Sequence, residues 1–106
     1  MTRDAAYRRT LYRAGDVMVR VGRKNRGADA WMGRHAAREA CFITAWNPMS
    51  QAMPKRFNDE VQKALRRDLR GLVMRDGEGS LGRWQEEMIL VLARATLLMR
   101  LARRYR

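Results

Sequence analysis

The sequence predicts an α+β fold: one small basic domain over residues 1–106, with a mixed, mainly antiparallel sheet of about three to four strands and helices packed on it. Three patterns predict it. Val17, Val19 and Val21 alternate with Met18 and Arg20, the period of a half-buried strand. Ala40 to Trp46 is apolar except for Thr44, the pattern of a central strand covered on both faces. Phe57, Val61, Leu65 and Leu69 recur every four residues, as along one side of a helix.

The remaining elements follow in chain order. Thr2 is placed to cap a helix from Arg3 to Arg13, with Tyr7 and Leu11 inside, Arg8, Arg9 and Arg13 outside, and Gly15 ending it. After the valine strand, Gly22 to Gly27 reads as a basic turn. Ala28 to Glu39 reads as a second helix, with Trp31 and His35 on one side and Gly33 weakening it by about 1 kcal/mol relative to alanine. Asn47-Pro48 stops the apolar strand, because proline lacks a ladder donor and restricts the residue before it. Pro54 suits the first turn of the next helix, which runs to about Arg70, where Gly71 closes it. Leu72 to Met74 is a short strand, and Arg75 to Gly82 a glycine-rich turn. Trp84 to Leu92 is a strand. A last helix from about Ala93 holds Leu97, Leu98 and Leu101 inside.

Composition narrows the function classes. The chain has 23 basic and 11 acidic residues, a net charge of +12. Such a field favours polyanions: nucleic acid, an anionic membrane surface or an acidic protein. All but three of the basic residues (Lys24, Lys55 and Lys63) are arginine, which an arginine-rich genome composition also produces. Cys41 is the only cysteine, so no internal disulfide and no cysteine-pair zinc site forms. Met1 to Tyr12 is charged throughout, unlike a secretory leader. The apolar run Met88 to Ala93 is far shorter than the ~20 residues of a membrane span. These features predict a cytoplasmic protein with no membrane span.

Two polar groupings stand out. Thr44, Asn47 and Ser50 follow the end of the apolar strand, where sheets often hold ligands; the same residues serve equally to hydrogen-bond their own turn. Trp84, Glu86 and Glu87 begin the later strand. Neighbours on a strand point to opposite faces, so the two carboxylates do not form a facing pair, and an ion pair with arginine is the plainer role. Calcium or magnesium needs more oxygen ligands than this stretch supplies, so neither metal nor cofactor is expected. His35 and Cys41 are the only thiol–imidazole combination, and a cysteine inside a buried strand is usually inert. No Ser-His-Asp arrangement, phosphate loop or dinucleotide fingerprint is present. Gly77-Glu78-Gly79 lacks a third glycine, and its acids repel phosphate.

The basic residues fall into three clusters: Arg23, Lys24 and Arg26 in a loop; Lys55, Lys63, Arg66, Arg67 and Arg70 on a helix; Arg100, Arg103 and Arg104 near the C-terminus, together with Arg94. Separate clusters of this kind line grooves for phosphates. Trp31, Trp46, Tyr7 and Tyr12 would stack on bases if exposed, although aromatics at these spacings are more often core.

Phe42-Ile43-Thr44-Ala45-Trp46-Asn47-Pro48, with Ser50, then Asn58 before a leucine-rich helix, then Gly82-x-Trp84-x-Glu86-Glu87, resembles the bacterial domain-of-unknown-function family DUF3293 over most of the chain. The resemblance implies a compact α/β domain whose signature positions are Thr44, Asn47, Pro48, Ser50, Asn58, Trp84, Glu86 and Glu87. It brings no activity. It also implies a further C-terminal strand, which a chain ending at Tyr105-Arg106 lacks. It suggests that Asn47, Asn58, Trp84 and Glu86 meet at one sheet end, as a ligand site or as a network locking the turn.

The expected function is non-catalytic binding of a polyanion, RNA or DNA backbone, within a larger assembly. Two alternatives stay open. One is a regulatory module that binds an acidic protein partner. The other is a small-ligand or enzymatic domain around Asn47, Asn58 and Glu86.

Overall fold

The computed structural model describes residues 9–20, 26–46 and 52–105. Five strands form one sheet: β1 (Leu11–Ala14), β2 (Val17–Val19), β3 (Cys41–Ile43), β4 (Met74–Leu81) and β5 (Trp84–Val91). Among the described residues, helices α1 (Arg26–Arg34), α2 (Lys55–Asp68) and α3 (Ala95–Ala102) accompany it, the last running into a 3-10 turn at Arg103–Tyr105. The strand order is β2-β1-β4-β5-β3, and every described pairing is antiparallel. The fold is α+β as expected, with, among the described residues, one strand more than expected and no parallel pair.

Helices cover both faces. On one side Trp31 of α1 packs with Ala14, Val17 and Leu90. On the other, Leu65, Leu69 and Leu98 from α2 and α3 pack with Ile43, Ile89 and Val91. Strand β5 therefore sends alternate residues into two separate cores, which explains its unbroken run Met88 to Val91. A cationic clip closes the α1 side. The Arg75 guanidinium lies 4.9 Å from the centroid of the Trp31 ring and donates to Asp16 Oδ1 at 2.7 Å.

Both hairpins turn on two residues with glycine first: Gly15-Asp16 and Gly82-Arg83. Gly15 (φ 61°) and Gly82 (φ 58°) supply the left-handed backbone that such Gly-X turns need. Gly15 thus turns a hairpin instead of ending a helix. The expected N-terminal helix lies mostly outside the described residues; Arg9 is helical, while Leu11 to Ala14 is a strand that β2 and β4 pair on its two edges.

The glycine-rich segment after Arg75 is also strand, not turn. A Cβ at Gly77 would collide with the Arg13 carbonyl oxygen and stand 3.0 Å from Ala14 Cβ, while one at Gly79 would stand 3.0 Å from Met88 Cε. These glycines let β1 and the side chains across the sheet approach the β4 backbone. The apolar strand expected over Ala40 to Trp46 is a three-residue edge strand. Its residues are apolar because helices cover both faces, Phe42 facing one core and Cys41 and Ile43 the other.

Helix α1 ends five residues before Glu39, the expected limit. The Ala37 N–H reaches the Met32 carbonyl at 2.9 Å and the Ala36 N–H that of Gly33 at 3.2 Å, with Ala36 at φ 53°. That is a Schellman ending with alanine in the position usually held by glycine. Gly71 (φ 93°) follows α2 as expected. Phe57 and Leu97, both expected inside, are 39% and 42% exposed. A spacing of four advances about 40° around a helix per step, so three steps from Leu69 carry Phe57 about 120° off the buried side. Asn58 and Gln62 take that side instead.

Candidate functional site

The polar residues at the end of β3 assemble around Gln62. Its Oε1 accepts the Ala45 N–H at 2.9 Å and lies 3.3 Å from Thr44 Oγ1. Its Nε2 donates to the Glu87 carbonyl at 3.4 Å, and Thr44 Oγ1 donates to that same carbonyl at 2.6 Å. Thr44 Oγ1 also accepts the Trp46 N–H at 3.0 Å. One buried glutamine side chain thus joins α2, β5 and the chain leaving β3. Such a network satisfies backbone groups that an edge strand would otherwise bury unpaired. Trp46 Nε1 is buried with no hydrogen-bond partner among the described residues.

Asn58 is buried in the first turns of α2, and its Nδ2 donates to the Met53 carbonyl at 3.3 Å. Asn47, Pro48 and Ser50 lie outside the described residues. Trp84 begins β5 and is 41% exposed. Alternation along β5 puts Trp84 and Glu86 on the α1 side and Glu87 on the α2 side, so the adjacent carboxylates face apart. Glu86 is buried and Glu87 exposed.

Beside Glu87, the outer surface of α2 forms an open groove of about 460 Å³, lined among others by Lys55, Asp59, Glu60, Lys63 and Arg66. Its charges largely cancel. Lys55 Nζ meets Asp59 Oδ2 at 2.7 Å, Lys63 Nζ lies 3.8 Å from Glu60 Oε1, and Arg66 pairs with Asp76. The hydrogen bond to Asp59 pushes the Lys55 ammonium pKa up. Across the sheet, Arg13 pairs with Glu78, and its hydrogen bond, with that of Gln85, holds the Glu78 carboxyl below its ordinary value.

The cationic helical surface predicted from sequence therefore divides in two. Its first half is neutralised. Its last part, Arg67 and Arg70, is exposed and in none of the ion pairs among the described residues. This part meets the C-terminal turn. The Tyr105 hydroxyl donates to Asp68 Oδ2 at 2.5 Å, and Arg104 Nη1 lies 3.8 Å from the same oxygen. Arg100 precedes Arg103 and Arg104 by three and four residues, the spacing of neighbours on a helical surface. The bonds to Asp68 thus bring Arg104, on the 3-10 turn, to the end of α2 that carries Arg67. Arg26 begins α1, away from the turn in which it was expected, and Arg23 and Lys24 lie outside the described residues. Sequence patterns did not single out Gln62, Asp68 or Tyr105. The signals were a glutamine on the buried side of α2, and one acid inside Arg66-Arg67-Asp68-Leu69-Arg70.

The remaining candidates have structural surroundings. Tyr12 and Trp31 are 8% and 3% exposed, so neither ring offers a face to a base. His35 stands edge-on to Trp31, with ring centroids 5.9 Å apart. Cys41 is half-buried, and desolvation, with Glu39 adding to it, pushes its thiol pKa up and disfavours a thiolate nucleophile. Among the described residues no three metal-ligating side chains group together. No described helix is long and apolar enough to cross a membrane.

The molecule is of the α+β class, an antiparallel sheet between helices with a basic end. Residues 43–106 match the family described as Protein of unknown function (DUF3293), and the chain belongs to that family. The matched span opens at Ile43 and takes in the Gln62 network, both long strands and the basic end. No curated protein and no solved structure matches the chain.

Proposed function

We propose that the protein is a non-catalytic binding module for a polyanion, RNA or DNA backbone, acting in the cytoplasm. The observation that carries this reading is Arg67 and Arg70, exposed and in none of the ion pairs among the described residues, beside the turn that holds Arg103 and Arg104, in a chain of net charge +12. Guanidinium groups bind phosphate oxygens in pairs of parallel hydrogen bonds and stay charged at any cellular pH. Contacts to the backbone, independent of base sequence, are the expected mode.

A comparison of two double variants tests it. Arg67→Ala with Arg70→Ala removes unpaired charges; Lys55→Ala with Lys63→Ala removes the same formal charge from ion-paired positions. The arginine variant is expected to bind a labelled duplex about tenfold more weakly at ~0.1 M salt, and the lysine variant to lose much less. Equal losses would show that net charge alone attracts the ligand, with no built surface.

A further inference from the structure

The arginine group needs an explanation of its own. Like charges repel, so a turn that carries Arg103 and Arg104 packs against a basic helix only where something ties it down. Here the turn Arg103–Tyr105 is tied to α2 by one carboxylate. Asp68 Oδ2 accepts a hydrogen bond from the Tyr105 hydroxyl at 2.5 Å, and the same oxygen faces Arg104 at 3.8 Å. Asp68 stands next to Arg67 in the chain, and the charges of Arg67 and Arg104 both act on the Tyr105 phenol. The ring of Tyr105 is half-buried against the core under α2 and α3. The hydroxyl therefore fixes direction while the ring supplies burial.

We propose that Asp68 and Tyr105 are the positioning pair of the phosphate-binding surface, docking the C-terminal turn on α2 so that Arg104 and its neighbours stand beside Arg67 as one continuous cationic strip. The proposal rests on the polyanion reading above. It assigns Asp68 two opposed effects. As an acceptor it assembles the strip; as a charge it subtracts from the strip's potential. Tyr105 acts only through the turn it holds, and at neutral pH it carries no charge.

These effects separate in two variants. Tyr105→Phe removes the hydroxyl without changing the net charge. It should release Arg103 and Arg104 from the strip, weaken duplex binding about tenfold at ~0.1 M salt, and flatten the slope of log K against log salt by about 1 to 2. Asp68→Asn keeps a carbonyl to accept the Tyr105 hydroxyl but removes the negative charge, so it should bind more tightly than wild type. A pair that only supports the fold would move both variants the same way, along with their melting temperatures.

Trypsin gives a readout independent of any ligand. It cuts after Arg103 and Arg104, and Tyr105→Phe should lose its last residues several-fold faster than wild type by mass spectrometry. Equal cleavage in the two proteins overturns the docking itself. Slower cleavage of wild type, with unchanged affinity and slope in Tyr105→Phe, overturns the positioning role while leaving polyanion binding intact. A wild-type protein that binds no duplex at low salt overturns the polyanion reading and the positioning role together.

Discussion

Ala36 is the non-glycine residue with positive φ among the described residues, at 53°. It ends α1 where glycine is the usual choice, because a Cβ in the left-handed region crowds the carbonyl that follows. Ala36→Gly should therefore stabilise the fold by about 0.5–1 kcal/mol, net of the extra freedom that glycine has in the unfolded chain. For a domain of this size that is a rise of about 3–6 °C in melting temperature. A fall would contradict the Schellman geometry. Tyr105 makes a second prediction at this scale. Burial, with the bond to Asp68 adding to it, raises its phenol from 10.0 to about 12. The folded state thus holds the proton more tightly than the unfolded one. The stability this contributes is complete below pH ~10 and is lost as pH rises toward ~12. The advantage of wild type over Tyr105→Phe in urea midpoint should shrink across that interval, and a constant difference would contradict the assignment.

At the scale of elements, Gln62 holds α2 to the end of β3. Truncating it to alanine strips the buried Ala45 N–H of its acceptor, at a cost of about 1–3 kcal/mol by urea denaturation. A change within about 0.5 kcal/mol would mean that the network does not stabilise the packing. The elements also show what local pattern reveals. Strand β5 and helix α2 are long and strongly patterned, and both were legible. Strand β4 was not, for one physical reason. Glycine is read as a turn signal, yet Gly77 and Gly79 are in β4 because neighbouring strands press close to its backbone. That approach is tertiary and leaves no local trace. Phe57 illustrates the opposite error, since a four-residue repeat drifts around the helix and leaves its first member outside. The edge position of β3 was likewise invisible, because burial by helices on both faces writes the same apolar pattern as a central strand.

For the whole molecule the charge is the dominant property, and its distribution is what the fold adds. The basic residues were legible as three clusters. Their division was legible only in part: Lys55 with Asp59 and Lys63 with Glu60 are helical neighbours, whereas Arg66 with Asp76 and Arg104 with Asp68 are remote in sequence. The groove beside α2 is close to balanced, and the end formed by Arg67, Arg70 and the C-terminal turn is not. The Gln62 network fits an architectural role for Thr44 and the β3 ending, which directs attention to that cationic end. The most direct test is the affinity of the wild-type chain for a duplex of about 20 base pairs across salt, with log K followed against log salt concentration. Several simultaneous arginine–phosphate contacts predict a steep linear fall, with a slope of about −3 to −5 and little dependence on base sequence. A flat response, or no binding at low salt, would contradict the account.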